Sequence, residues 1–91
     1  MTVFHYRAVL IDHEENLLRY KIFLDFDGRK GWYGIATVNK IDGQFTIESR
    51  EYDLTPKMIQ KESHCISAIQ HKFKKRSESE GTVPKEIVYI A

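Results

Sequence analysis

The chain of 91 residues contains one cysteine, two prolines and five glycines. A single cysteine excludes an internal disulfide, and a reducing compartment is the simplest setting for such a protein. The first residues show no basic segment followed by an apolar run, which a secretory signal requires. No apolar run approaches the roughly 20 residues that span a bilayer. We therefore expect a cytoplasmic protein that contacts no membrane.

An excess of charge of one sign is also absent, because the net charge is +1. This argues against a protein that coats nucleic acid by charge alone. The charges are unevenly distributed, since residues 1–54 carry 7 basic and 9 acidic side chains and residues 55–91 carry 7 and 4. Hydrophobic residues make up 42% and charged residues 30% of the chain, as in ordinary globular proteins. A chain of this length predicts a single domain over residues 1–91.

The stretch 55–76 predicts the one long helix. Thr55 suits the N-cap because its hydroxyl can accept a backbone N–H, and Pro56 suits the first helical position. Apolar residues then recur at helical spacing and form a stripe: Met58, Ile59, Cys65, Ile66, Ile69 and Phe73. Four cations are expected in the last turn, where they complement the carbonyl end of a helix: Lys72, Lys74, Lys75 and Arg76.

Before this helix, alternating apolar and polar residues predict strands over residues 2–11, 17–26 and 32–41. Polar and glycine-rich turns separate them at 12–16 and 27–31. Asp42-Gly43 predicts a two-residue type I′ turn into a fourth strand. That turn would place Val38 opposite Ile47 and Ala36 opposite Ser49.

After the helix, residues 77–84 are predicted as a polar loop and residues 85–90 as a short last strand. The order β-β-β-β-α-β predicts an α+β fold. In this fold, a four-stranded antiparallel meander sheet carries one long helix packed on one face, with a short fifth strand. Either edge of the sheet is open to that last strand.

A helix can cover only one face of the sheet, so the other face is a candidate binding surface. The predicted covered face includes Trp32, Ala36, Val38, Phe45 and Ile47. Aromatic and basic side chains alternate on the opposite face, and the candidate binding residues there are Arg7, Arg19, Lys21, Phe23, Tyr33, Arg50 and Tyr52. Rings that stack on bases and cations that follow the backbone are typical of single-stranded nucleic acid binders.

A protein partner is the other class that this face suits, and its exposed apolar residues also favour a second copy of the chain. The plain alternative is a solvated antiparallel face whose charges form cross-strand pairs, such as Arg50 with Glu48 or Asp25.

A second candidate surface is one flank of the predicted helix. Basic residues share this flank at spacings of three, four and seven: Lys57, Lys61, His64, His71, Lys72 and Lys75. No acid lies among them, so the flank suits phosphates or an acidic partner, unless it is simply solvated. His64 and His71 are two turns apart, about 10 Å, which is too far to share one metal ion.

Glu62 lies within the apolar stripe of the helix. A carboxylate there has either a partner or a raised pKa, and a raised pKa would suit a general base. Reaching solvent or a tyrosine or arginine partner is the commoner outcome. Cys65 is expected to be a buried, packed thiol.

No catalytic constellation, phosphate-binding loop or zinc-ligand spacing is present. We therefore expect no enzyme activity, cofactor or metal. The sequence favours a small binding module that contacts a protein or single-stranded nucleic acid through its open sheet face. The alternative is a homodimeric domain with a small-ligand or catalytic pocket between helix and sheet.

Overall fold

The computed structural model describes residues 5–25 and 31–90, in which five antiparallel strands form one sheet and one long helix covers a face of it. The elements are β1 (His5–His13), β2 (Leu17–Phe23), β3 (Tyr33–Asn39), β4 (Phe45–Arg50), α1 (Pro56–Glu80) and β5 (Glu86–Ile90). The predicted α+β fold is confirmed. The start of the predicted first strand, the end of the second and most of the 27–31 turn lie outside the described residues.

The fifth strand joins the sheet beside the first, which gives the order β4-β3-β2-β1-β5. Ala8 pairs with Ile87, and both side chains are fully buried. The Tyr20 hydroxyl donates to the Pro84 carbonyl and holds the segment that leads into β5. Burial of Ile87 under the helix therefore accompanies docking at this edge, which the sequence left open.

The core lies between the sheet and α1. Its buried residues on the sheet are Tyr6, Ala8, Leu18, Tyr20, Ile22, Leu24, Ala36, Val38, Phe45 and Ile87, and on the helix Met58, Cys65, Ile69 and Phe73. Four of the six residues of the predicted apolar stripe are thus buried, and Ile66 packs at their edge. Ile59, the remaining residue of the stripe, is 51% exposed and does not join the core. It lines a surface cleft with Phe45 and Ile47 of β4.

The helix begins where the sequence predicts and continues beyond residue 76. The Thr55 hydroxyl accepts a hydrogen bond from the Met58 N–H, as an N-cap does. At the other end Gly81 adopts a φ of 68°, and its N–H donates to the Ser77 carbonyl. Residues 77–80 are therefore helical, and the predicted loop over 77–84 is wrong for these four residues. The helix ends where Gly81 supplies the left-handed cap. The last turn consequently holds none of the predicted cations.

The β3–β4 hairpin has a longer loop than the predicted two-residue turn. Asn39 and Gln44 close a four-residue loop, and Gly43 occupies its left-handed position with a φ of 70°. The Asn39 side chain accepts from the Ile41 N–H, and the Asp42 side chain accepts from the Gln44 N–H. These side chains stabilise the wider loop.

The predicted pairing of β3 with β4 is therefore wrong by two residues. Val38 pairs with Phe45, and Ala36 with Ile47. A slip of two residues keeps each side chain on its face, so Phe45 and Ile47 still point toward the helix.

Candidate binding surfaces

The face of the sheet opposite α1 is the open sheet face. We define it by the half-buried or exposed residues that alternate with the core positions: His5, Arg7, Val9, Arg19, Lys21, Phe23, Tyr33, Ile35, Thr37, Glu86, Val88 and Ile90. It includes five of the seven predicted binding residues, namely Arg7, Arg19, Lys21, Phe23 and Tyr33. Their position is as predicted, and their role in binding stays a prediction.

Aromatic rings and a lysine form a cluster on the open sheet face, where β2 ends and β3 begins. Phe23 and Tyr33 are cross-strand neighbours whose ring centroids lie 6.4 Å apart. Lys21 Nζ lies 4.3 Å from the centre of the Tyr33 ring and 5.4 Å from that of Phe23. Ile35 pairs with Lys21 across β2 and β3 and extends the apolar surface. The ammonium group of Lys21 thus lies at cation–π distance from both rings.

The two arginines of the open sheet face are paired with carboxylates. Arg7 Nη2 lies 2.8 Å from Glu86 Oε2. Arg19 binds two acids, with Nε 2.9 Å from Glu48 and Nη1 3.0 Å from Asp12. The hydrogen bond and charge of Glu48, together with those of Asp12, raise the pKa of Arg19. The positive charges of both arginines on this face are therefore offset by neighbouring carboxylates.

These acidic partners were not among the predicted site residues. Cross-strand charge pairs were the plain alternative for this face, with Arg50 and Glu48 or Asp25 as the example, but Glu48 pairs with Arg19 and Arg50 with Glu62. Glu86 reaches Arg7 only because β5 docks beside β1. Asp12 and Glu48 lie at two β-bulges, which no pattern in the sequence signals.

Arg50 and Tyr52 are not on the open sheet face, so this part of the predicted site is wrong. Ile47 pairs with Ala36 but Ser49 pairs with Ile35, which leaves Glu48 as an extra residue in β4. A bulge of one residue reverses the alternation of the residues that follow it. Arg50 therefore points to the helix side of the sheet, and Tyr52 packs against the core.

The Glu62 carboxylate accepts hydrogen bonds from both Arg50 and Tyr52. Arg50 donates from Nε at 2.8 Å and from Nη2 at 3.1 Å, and the Tyr52 hydroxyl donates to the same carboxylate. Burial of the carboxyl group opposes its ionisation, but the hydrogen bonds from Arg50 and Tyr52 outweigh burial and lower the pKa of Glu62. The carboxylate thus joins α1 to the end of β4. The raised pKa that would suit a general base is not found.

The basic flank of α1 lies on the side of the helix that faces β1 and β5. His64 Nδ1 is hydrogen-bonded to the Tyr6 hydroxyl at 2.7 Å, and the His64 ring meets Tyr89 edge-on. Lys61 Nζ lies 5.7 Å from the centre of the Tyr6 ring. His64 and Lys61 thus contact tyrosine rings. Lys61 is half-buried, and the other residues of the flank are exposed: Lys57, His64, His71, Lys72 and Lys75.

Two buried ionisable groups lie beneath this flank. Tyr6 is fully buried and stacks on Tyr89, and burial raises the pKa of Tyr6 to about 12. Cys65 is buried as predicted, and burial raises the pKa of its thiol to about 12. A protonated, enclosed thiol is a packing group and a poor nucleophile.

Within residues 5–25 and 31–90, no group of three or more histidine, cysteine, aspartate or glutamate side chains is arranged to hold a metal ion. The same ranges contain no helix that is long and apolar enough to cross a membrane. In comparisons with known proteins, no family model, curated protein or solved structure matches the chain.

Proposed function

We propose that this chain is a non-enzymatic binding module that contacts a protein partner through its open sheet face. The observation that supports this most directly is the state of the cations on that face. Arg7 and Arg19 are already paired with acids, while Lys21 lies among half-buried rings and the side chain of Ile35. A nearly neutral, partly apolar sheet surface is suited to a protein contact.

Single-stranded nucleic acid is the less favoured partner. A binding groove for a phosphate backbone needs cations that are available to phosphates. Each arginine of the face would have to leave a carboxylate first, and Glu48, Asp12 and Glu86 would then repel the backbone. The face also offers fewer rings for stacking than the sequence predicted. Tyr52 lies on the helix side, so Phe23 and Tyr33 are left of the three predicted rings.

The experiment that tests this proposal is site-specific photo-crosslinking in cells that produce the chain naturally. A photoreactive phenylalanine analogue replaces Ile35 at the centre of the open sheet face, and a control replaces the exposed helix residue Gln60. We expect a discrete protein adduct from position 35 and none from position 60. An adduct of twice the chain mass would identify the partner as a second copy.

A second substitution in the same chain makes the result specific. Phe23→Asp introduces an unpaired charge into the apolar part of the face, and it should abolish the adduct from position 35. Circular dichroism checks that this variant keeps its fold. Adducts that persist in Phe23→Asp, or that form equally from position 60, would contradict the proposal.

Fluorescence anisotropy with labelled single-stranded DNA and RNA tests the competing partner class. We expect no binding at low salt, where weak electrostatic association is strongest. Salt-sensitive binding that is lost in Lys21→Ala and in Tyr33→Ala would replace the protein partner with nucleic acid.

A further inference from the structure

β5 lies at one edge of the sheet, and half of its backbone groups point away from its only neighbour among the described strands. The Leu10 N–H donates to the Lys85 carbonyl at 2.9 Å, so that carbonyl faces β1. Backbone groups of successive residues alternate in direction along an antiparallel strand. Those of Glu86, Val88 and Ile90 therefore face outward.

Among these outward groups, only the Glu86 carbonyl has a hydrogen-bond partner in the part of the chain that the structure describes. Arg76 Nη1 donates to the Glu86 carbonyl. Among the strands of residues 5–25 and 31–90, β5 pairs only with β1, so the N–H and carbonyl of Val88 have no partner from those strands. Ile90 beside them is 66% exposed. Such an edge is a template for one more strand.

The opposite edge of the sheet is less suited to this. Its outward Phe45 N–H is already bonded to Gln70 Oε1 at 3.0 Å. The bulge at Glu48 also interrupts the regular spacing of β4, and bulges protect edges against further pairing. A strand that adds to this sheet would therefore select β5.

A strand added to β5 would lie beside the basic flank of α1. The contact of His64 with Tyr89, at 6.0 Å between ring centres, places the flank next to this edge. Among the described residues, the ion pairs include none of the exposed flank lysines Lys57, Lys72 and Lys75. The helix side of an added strand would thus meet lysines that none of these ion pairs engages.

We propose that the β5 edge and the basic flank together bind an extended acidic peptide as a sixth strand. Its backbone bonds to the N–H and carbonyl of Val88, its acidic side chains face Lys72 and Lys75, and its apolar side chains extend the open sheet face beside Ile90. A second copy of β5 does not fit this site. Pairing two β5 strands about a two-fold axis would bring two basic flanks together.

This site adjoins the open sheet face at Val88 and Ile90, but it uses the β5 backbone and the lysines of α1 rather than Phe23, Tyr33 and Ile35, so either proposal can fail without the other. The probe is a short labelled peptide in which glutamate and valine alternate, and the control peptide has lysine in place of glutamate. We expect the acidic peptide to bind in fluorescence anisotropy and the basic peptide not to bind. Equal binding of the two peptides, or no binding of either, would overturn the proposal.

Two kinds of variant test the two halves of the site. Reversing Lys72 and Lys75 to glutamate should weaken binding of the acidic peptide about tenfold, since each exposed pair contributes modestly. The matched control is Lys40→Glu in the exposed β3–β4 loop, which should leave binding unchanged.

Val88→Pro removes the outward donor without removing a bond to β1, and it should weaken binding about fivefold. If this variant does not fold, a probe peptide methylated on alternate backbone nitrogens blocks the same bonds and should also bind less tightly. Binding that resists both changes would overturn the added strand. Binding of a single-stranded oligonucleotide that depends on Lys72 and Lys75 but not on Val88 would assign the flank to phosphates instead.

Discussion

Glu62 is bound by two side chains that arrive from the end of β4. Its side chain is only 15% exposed, and Arg50 grips it with two nitrogen atoms while Tyr52 donates a third hydrogen bond. Charge-assisted, two-pronged bonds of this kind are stronger than a single neutral one. The carboxylate therefore acts as a cross-link between helix and sheet.

We expect Glu62→Gln to lower the free energy of unfolding by about 1 kcal/mol at pH 7, because the amide loses the charge-assisted bonds. The folded-state pKa of Glu62 lies below its ordinary value of 4.5. Its contribution to stability is thus present above pH 4.5 and is lost as the pH falls through the folded-state pKa. Urea unfolding of both proteins at neutral and acidic pH measures the difference, which should shrink on acidification.

The control for this measurement is Glu15→Gln in the exposed turn after β1, which should match the wild type throughout. If acidification enlarged the gap between wild type and Glu62→Gln, the bonds to Arg50 and Tyr52 would not be what stabilises the carboxylate.

At the scale of single elements, two local features decide where side chains point. The extra residue Glu48 turns Arg50 and Tyr52 toward the helix. At the end of α1, Gly81 takes a left-handed conformation that lets the chain turn back to β5. Each feature thus depends on a single residue that redirects the chain.

Gly81→Ala should therefore destabilise the protein by about 1 kcal/mol. A Cβ at this position meets nothing within 4 Å, so the loss comes from the left-handed φ of 68° rather than from a clash. Asparagine tolerates this conformation better than alanine, and Gly81→Asn should lose less stability. Thermal and urea unfolding of the two variants measure the difference, and equal losses would point to a cause other than backbone conformation.

At the scale of the whole molecule, folding places three tyrosines in the space between sheet and helix. Burial raises the pKa of Tyr6 and of Tyr20 to about 12, and it raises the pKa of Tyr52, which also donates to Glu62. Tyr20 meets Phe45 and Phe73, so its ring belongs to the centre of the core. The protonated forms of these phenols are part of the folded state.

The free energy of unfolding should therefore fall as the pH rises above 10. The contributions of Tyr6 and Tyr20 are complete below the ordinary tyrosine pKa of 10.0 and are lost as the pH passes through about 12. Absorbance of tyrosinate and far-ultraviolet circular dichroism, recorded in one titration, measure ionisation and unfolding together. Tyr6→Phe should make the decline shallower, and a stability that stays constant to pH 12 would contradict this account.

Much of the fold follows from local patterns. Alternation places the core side of β1, β2 and β3, and Thr55, Pro56 and the spacing of Met58, Cys65, Ile69 and Phe73 predict the helix and its buried side. These signals depend on neighbours only a few residues apart, so the sequence displays them directly. The open sheet face follows from the same alternation through the end of β3.

The order of elements, the α+β class and the basic flank were thus determined by the sequence alone. Only the tertiary structure decided which edge β5 joins and which acids neutralise Arg7 and Arg19. It also decided that Arg50 and Tyr52 are hydrogen-bonded to Glu62 and do not lie on the open sheet face. The physical reason is that a strand edge and a bulge are set by contacts between distant segments. One extra residue, Glu48, reverses the side on which the following residues lie, and the sequence pattern shows no sign of it.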